Sequence, residues 1–569
     1  MTPTIRIAAL ACQLAWGIAA AGSACAADAA AGDEAPVPPP RIVFEATRST
    51  TDDPELRVGR VLVFRKEVFN PSVPGFRRFP FPVLNRFHII TRERVVREQI
   101  LVKPGQLYDP ELIEETERLL RNLSFIGAAK AVAVEDTTGD MLVVIETQDL
   151  WTTNLEVELE RFKASSEEDT RDENAFEVSL SEANFLGYGK RIRARLKHED
   201  GRDLWGGLYS DPSLFDTRWT AELNYQNRSF GEEWNAAAIR PFYSLDTRWS
   251  MGWDSRFRSD DNIQYDDGRE IGSFFESNEL HTAFLGRMFG RRSNQFLLMG
   301  DATHIRFEAT PNEGPEPFDA PGGENGPLFR LGARWGSFRF REETHLERFV
   351  RIEDIEIGRS IGIEAGRYAT NDPRWRWGAV TAWSGRLDEH RFLMSAVSIA
   401  GDRRNDRWRD GELVARIQYY ERLTASHTLA GRLLFERGWN RRPGFERFIG
   451  DGSGLRGIES RDVAGQSLVL FNLEERWFTD LQLWTVAFGG AIFWDTGWAW
   501  DEDQPIRFSD LESSVGAGVR LGMTKSRSSP VVRIDAAWNT ARGEFRFSVG
   551  SGHVFSVLKP YREFISRFP

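Results

Sequence analysis

The stretch WTVAFGGAIFWDTGW, residues 484–498, carries the reading of the whole chain. In an extended chain successive side chains point to opposite faces. Trp484, Val486, Phe488, Ile492, Trp494 and Trp498 then share one face, and Thr485, Ala487, Gly489, Ala491 and Asp495 share the other. The first face has aromatic residues at both ends and an apolar middle, while the second is small or polar. A strand tilted through a bilayer needs that pattern, with aromatic girdles at the two interfaces and a polar lumen behind them. Lipid offers no partner to a free strand edge, so such strands must close into a barrel. A soluble β-sandwich is the alternative source of the alternation.

The same pattern extends from Thr152 onward as strand-like segments separated by Gly, Asp, Asn and Pro clusters. In Lys190 to His198, Arg191, Arg193, Arg195 and Lys197 share one face, a cationic lumen side, and Ile192, Ala194, Leu196 and His198 share the other. The polar stretches Ser165 to Asn174, Ser259 to Gly272 and Asn312 to Pro327 read as surface loops or turns. Mean hydropathy is -0.43, and past the N-terminus no apolar run reaches the roughly eighteen residues of a membrane helix. That excludes a helical membrane protein and leaves a barrel open. The 40 Phe and 19 Trp, against 10 Tyr, fit interfacial girdles. A net charge of -12 argues against a nucleic-acid surface.

The 569 residues leave room for a second, smaller domain. Arg6, an Ala-rich apolar stretch from Ile7 to Ala20 and the exit Ala24, Cys25, Ala26 predict a signal peptide over 1–26, with a retained anchor as the alternative. Cleavage there removes Cys12 and Cys25, so the mature chain has no thiol. Residues 27–57, with a Pro triplet at Pro38 to Pro40, read as a linker.

A unit over 58–150 follows. Val58 to Phe69 is β-rich, and an insertion from Pro71 to Leu84 precedes two helical patterns. The first, Thr91 to Ile100, is expected to be capped by Thr91. The second is capped by Asp109 with Pro110 at its first position, and it carries an apolar stripe of Leu112, Ile113, Thr116, Leu119, Leu120 and Leu123. Strands Ala128 to Glu135 and Met141 to Glu146 close a β-α-α-β-β order. This arrangement resembles a POTRA domain, the periplasmic polypeptide-transport-associated module; an unrelated small α/β sandwich is the alternative.

Four motifs in order then point to a family. Asn184 to Gly189 (NFLGYG) looks like its second hairpin. Gly452 to Ile458 (GSGLRGI) resembles the tip of the long loop that folds into the lumen of BamA/TamA-type barrels, the bacterial surface-antigen superfamily. Phe493 to Trp498 and Pro530 to Asp535 are similar to its Phe-x-Asp-x-Gly and Pro-x-Arg-x-Asp strands, and five strands follow the loop, as in that family. The resemblance implies a transmembrane antiparallel β-barrel over 152–556 with a tail at 557–569. It implies about sixteen strands, whereas counting segments here gives up to about twenty, and an even number is expected.

Gly454, Leu455, Arg456, Gly457 and Ile458 are the candidate lumen-loop residues. The glycines around Arg456 permit positive φ and close approach, so a guanidinium can sit deep in the lumen, where it must be paired with carboxylates. Strand parity puts Asp495 on a polar face, and Glu474 with Asn472 and Arg476 on the polar face of the preceding strand; the resemblance assigns Arg456 to Glu474 and Asp495. Ordinary hydrated lumen charges are the alternative.

No His-Glu-x-x-His helix or Gly-x-Ser-x-Gly elbow occurs and the eight His are scattered, so no enzyme, metal or cofactor is expected. The expected setting is a Gram-negative outer membrane, with lipids and lipopolysaccharide around the barrel and the N-terminal domain in the periplasm. The expected role is insertion or translocation of client polypeptides, with or without periplasmic assembly subunits. A passive pore or structural surface barrel is the second reading.

Overall fold

The computed structural model describes residues 56–555 apart from 136–138, 164–171, 200–201, 230, 267–268, 313–321, 442–446, 459–462, 503, 505–506 and 528–530. The expected leader, the linker up to residue 55 and the tail 557–569 lie outside the described residues.

The N-terminal unit is a three-stranded sheet with helices against one face. Strands β1 (Val58–Lys66), β2 (Ile126–Glu135) and β3 (Met141–Asp149) lie in the order β1-β3-β2, with β1 parallel and β2 antiparallel to the central β3. Val95, Val96, Ile113 and Leu120 from the helices bury themselves with Val58, Met141, Val143 and Ile145 from the sheet.

Three helices are present, not two: α1 (Phe81–Phe87) occupies the insertion, ahead of α2 (Glu93–Gln99) and α3 (Pro110–Arg121). Asp109 caps α3 by accepting from the Glu111 N–H at 3.0 Å. Thr91 does not cap α2. Arg92 holds the N-cap position without a side-chain bond, because the Thr91 N–H and Oγ1 both donate to buried Asp149, at 2.7 and 2.8 Å.

Among the described residues the rest of the chain forms one antiparallel sheet of twenty strands, from β4 (Thr153–Lys163) to β25 (Glu544–Ser551), with the short β19 (Arg447–Ile449) and β20 (Val463–Gly465) standing outside it. The count is therefore above the sixteen implied by resemblance, and it is even. The order sets β25 beside β4, the position that completes a barrel; among the described residues, residue-to-residue ladders link each wall strand to the next along the chain. The stretch Ser259 to Gly272 is not a surface loop, since β10 (Trp249–Asp266) and β11 (Arg269–Arg291) run through most of it as a hairpin. The expected strand Val463 to Trp477 is split. Val463–Gly465 pairs with Arg447–Ile449 in a separate two-stranded sheet, and the wall strand β21 runs from Ser467 to Leu483.

Alternation sorts the wall into two environments. Leu331 (69% exposed), Ile363 (61%) and Leu196 (57%) stand on the outer face, whereas the intervening Arg195 forms a two-point ion pair with Glu177, both bonds 2.7 Å. A continuous belt of bare Leu, Ile, Val and Trp has no place in water and fits a bilayer. The N-terminal unit is fixed against the turns at one end of the wall. Arg94 meets Asp216 at 2.8 Å, Arg292 meets Asp109 at 2.7 Å, and Arg121 meets Asp354 at 2.6 Å.

Candidate functional site: an ion-paired loop in the lumen

Between β18 (His427–Trp439) and β21 the chain leaves the wall and folds inward. Leu455 and Ile458 anchor the fold-back in an apolar cluster with Ile449, Val463, Leu468, Leu470 and Ala499. The turn needs glycine at two points. Gly454 has φ +118°, and a Cβ there would lie 2.5 Å from the Arg432 Nη2. Gly457 has φ +86° with looser surroundings, its nearest neighbours being 3.3 Å away.

Between them Arg456 is fully buried. Its Nε and Nη2 donate to the two oxygens of Asp495 at 2.7 and 2.9 Å, and its Nη1 donates to Glu474 at 2.8 Å. The guanidinium lies 3.3 Å from the centroid of the Phe493 ring. The backbone is held as well: the Arg456 carbonyl accepts from Ser514 Oγ at 2.5 Å, and the Gly454 carbonyl accepts from Asn472 Nδ2 at 2.6 Å. Asn472 also donates to Asp495 at 2.7 Å and accepts from Arg432. The structure thus brings together every residue of the candidate loop motif and both candidate acids.

The constellation is larger than the expected trio. A third acid, Asp535, lies 3.5 Å from Arg456 and is paired to Arg520 at 2.5 Å and Arg533 at 2.9 Å. Glu474 also accepts from Arg476 at 2.9 Å and Arg520 at 3.3 Å. Alternation along Val531–Asn539 puts Arg533 and Asp535 on the inward face, and both stand in the Pro-x-Arg-x-Asp motif, so two signals pointed to them before any partner was assigned.

Two further segments enter the lumen. The turn after β13 (Glu324–Glu343) sends Leu346 inward, where its carbonyl accepts from Arg476 at 2.9 Å. Past β25 the chain also turns in. His553 Nδ1 sits 3.2 Å from Glu474, the Phe555 carbonyl accepts from Arg476 at 3.3 Å, and the Phe555 ring is buried among Leu346, Ile355, Phe392, Met394, Tyr420 and Ala430.

Fully desolvated charges that are mutually paired fix one geometry and are costly to break singly. The arrangement can therefore lock a plug to the wall. An apolar outer belt, a polar lumen and an inward loop pinned by ions define the class as a membrane-spanning β-barrel with a lumen-folded loop.

Solved structures of similar fold are outer-membrane proteins. BamA from Haemophilus ducreyi lacking POTRA domains 1-3 is 12% identical over 87% of this chain and 85% of that one, with a TM-score of 0.36. CdiB from Acinetobacter baumannii is 9% identical over 88% and 74%, TM-score 0.41. The alcaligin outer-membrane receptor FauA from Bordetella pertussis is 12% identical over 72% and 73%, TM-score 0.34. No protein-family model and no curated protein matches the chain.

Proposed function

We propose that the protein inserts or translocates polypeptides at the bacterial outer membrane, and that residues 58–150 form a periplasmic POTRA-type module that receives client segments. The observation that carries this reading is the occupied lumen, in which Arg456 ties the inward loop to acids on three different wall strands. A passive pore needs a standing water path, whereas a plug held by a compact set of ion pairs is built to have two states. The module supports the reading through its edges. The sheet ends on β1 and β2, and Leu62 and Phe64 stand exposed along β1 as apolar contacts for an added strand.

The test is reconstitution of the full chain in liposomes, with a urea-unfolded outer-membrane barrel offered as client from the side of the N-terminal unit. Faster client insertion than into empty liposomes, lost when residues 58–146 are deleted, is the expected result. Unchanged insertion rates together with a steady open conductance would make the protein a passive pore.

A further inference from the structure

On the outer wall, at the end away from the N-terminal unit, lies an apolar depression of about 740 Å³. That is within the roughly 300–1,000 Å³ of pre-formed ligand sites. Small side chains make its floor. Ala333, Ala365 and Ala379 alternate in cross-strand register with the large Ile363, Leu331 and Trp377. Trp408 and Trp439 form the far side, each lying over a glycine: a Cβ on Gly401 would sit 3.3 Å from the Trp408 ring, and one on Gly411 would collide with Trp439.

The next row of outward residues is cationic. Register places Arg367, Trp375 and Arg403 side by side on three adjacent strands. Arg367 stacks 5.2 Å from the Trp375 ring centroid, and Arg403 leans the other way onto the 91%-exposed Asp406. Trp375 therefore separates two guanidiniums whose strands are about 10 Å apart, two strand spacings. An ion pair to so exposed an acid is readily exchanged for a phosphate, which a guanidinium binds with two hydrogen bonds.

Resting on the outer-membrane reading above, we propose that this wall is a binding site for a bisphosphorylated, multiply acylated glycolipid of the outer leaflet, the lipid anchor of lipopolysaccharide. One of its acyl chains lies in the depression, and Arg367 and Arg403 each take one phosphate. Two cations held apart suit two phosphates better than the single phosphate of a glycerophospholipid, and the row lies in the leaflet opposite the N-terminal unit.

The experiment is native mass spectrometry of the refolded full chain in detergent. The probes are bisphosphorylated lipid A, its dephosphorylated form and phosphatidylglycerol, and heat-modifiable migration reports an intact barrel for every variant. Lipid A should bind at least about tenfold tighter than either comparator, one tenfold step being 1.4 kcal/mol. The double variant Arg367→Ala/Arg403→Ala should lose that margin. Ala365→Trp, which fills the floor and leaves both arginines, should lose lipid A as well. Equal binding of the dephosphorylated lipid or of phosphatidylglycerol, unchanged binding in Ala365→Trp, or a dimer covering this wall would overturn the proposal. A wild-type chain that forms no heat-modifiable barrel overturns the membrane reading itself, so the two failures are distinguishable.

Discussion

Replacing Arg456 with Ala removes one cation from a site that holds three acids, and the structure shows which acid suffers. Glu474 keeps Arg476 and Arg520, and Asp535 keeps Arg520 and Arg533. Among the described residues Arg456 is the one cation at ion-pair distance from Asp495, which is left with Asn472. Stranding one buried charge costs about 3–5 kcal/mol, so loop docking should weaken by roughly two to three and a half orders of magnitude. Single-channel recording in planar bilayers reads this directly: Arg456→Ala should show frequent transitions to a larger conductance that the wild type rarely visits. Arg456→Lys, which keeps the charge but cannot grip Asp495 at two points, should fall between them. Removing the stranded acid too, in Arg456→Ala/Asp495→Ala, should restore part of the docking, since the cost is mainly the unpaired carboxylate. If wild type, Arg456→Ala and the double variant give the same steady conductance, the loop is no ionic plug.

Gly454→Ala forces a side chain into a left-handed position against Arg432 and should cost about 1–3 kcal/mol of loop docking, while Gly457→Ala, with more room, should cost less; thermal melts of the refolded barrel rank the two. Phe555→Ala opens a cavity between tail and wall, and should cost about 3–5 kcal/mol if the tail stays seated, or free the tail to proteolysis if it does not. Glu115 on α3 accepts from the Leu245 N–H at 2.6 Å where the unit meets the barrel, and burial raises its carboxyl above the ordinary 4.5, against the pull of that bond and of Arg118. The docked state then holds the proton more tightly than the free one, so this contribution is fully present below pH 4.5 and is lost as pH rises through the raised value. Hydrogen exchange of α3 against pH should show that loss in the wild type and a flat profile in Glu115→Gln, which keeps the acceptor without the charge.

What could be read before the structure was whatever repeats with the period of a strand. The alternation in residues 484–498 puts Ile492 and Trp494 outside and Ala491 and Asp495 inside, as the exposures show, and the structure adds a large ring, Phe493, to the inner face. The misreadings have different causes. Thr91 is drawn from its cap by Asp149, 58 residues away. Helix α1 is hidden because Pro80 and Pro82 read as breakers, although Pro82 stands in the first turn, where proline is tolerated. The polar stretch around Ser259 to Gly272 looks like a loop because β10 and β11, at 18 and 23 residues, outrun the roughly ten that cross a bilayer. The inward path of His553 and Phe555 is set by contacts to Glu474 and Arg476, which lie far away in sequence.

Glu474 and Asp495 were expected to do the same work, yet their partners differ. Asp495 touches the loop alone, through Arg456, with Asn472 as its brace. Glu474 touches the loop through Arg456, the wall through Arg476 and Arg520, and the tail through His553. Neutralising Asp495 should therefore loosen one segment. Neutralising Glu474 leaves three arginines facing one another and should loosen both loop and tail. The sequence has two cysteines, Cys12 and Cys25, so in a background with both changed to Ser single cysteines can report each segment: Ser453→Cys for the loop and Val554→Cys for the tail. Asp495→Asn should speed maleimide labelling at position 453 only, whereas Glu474→Gln should speed it at 453 and 554 together. Equal effects of the two substitutions at both positions would mean that loop and tail move as one body and that Glu474 is not the joint between them.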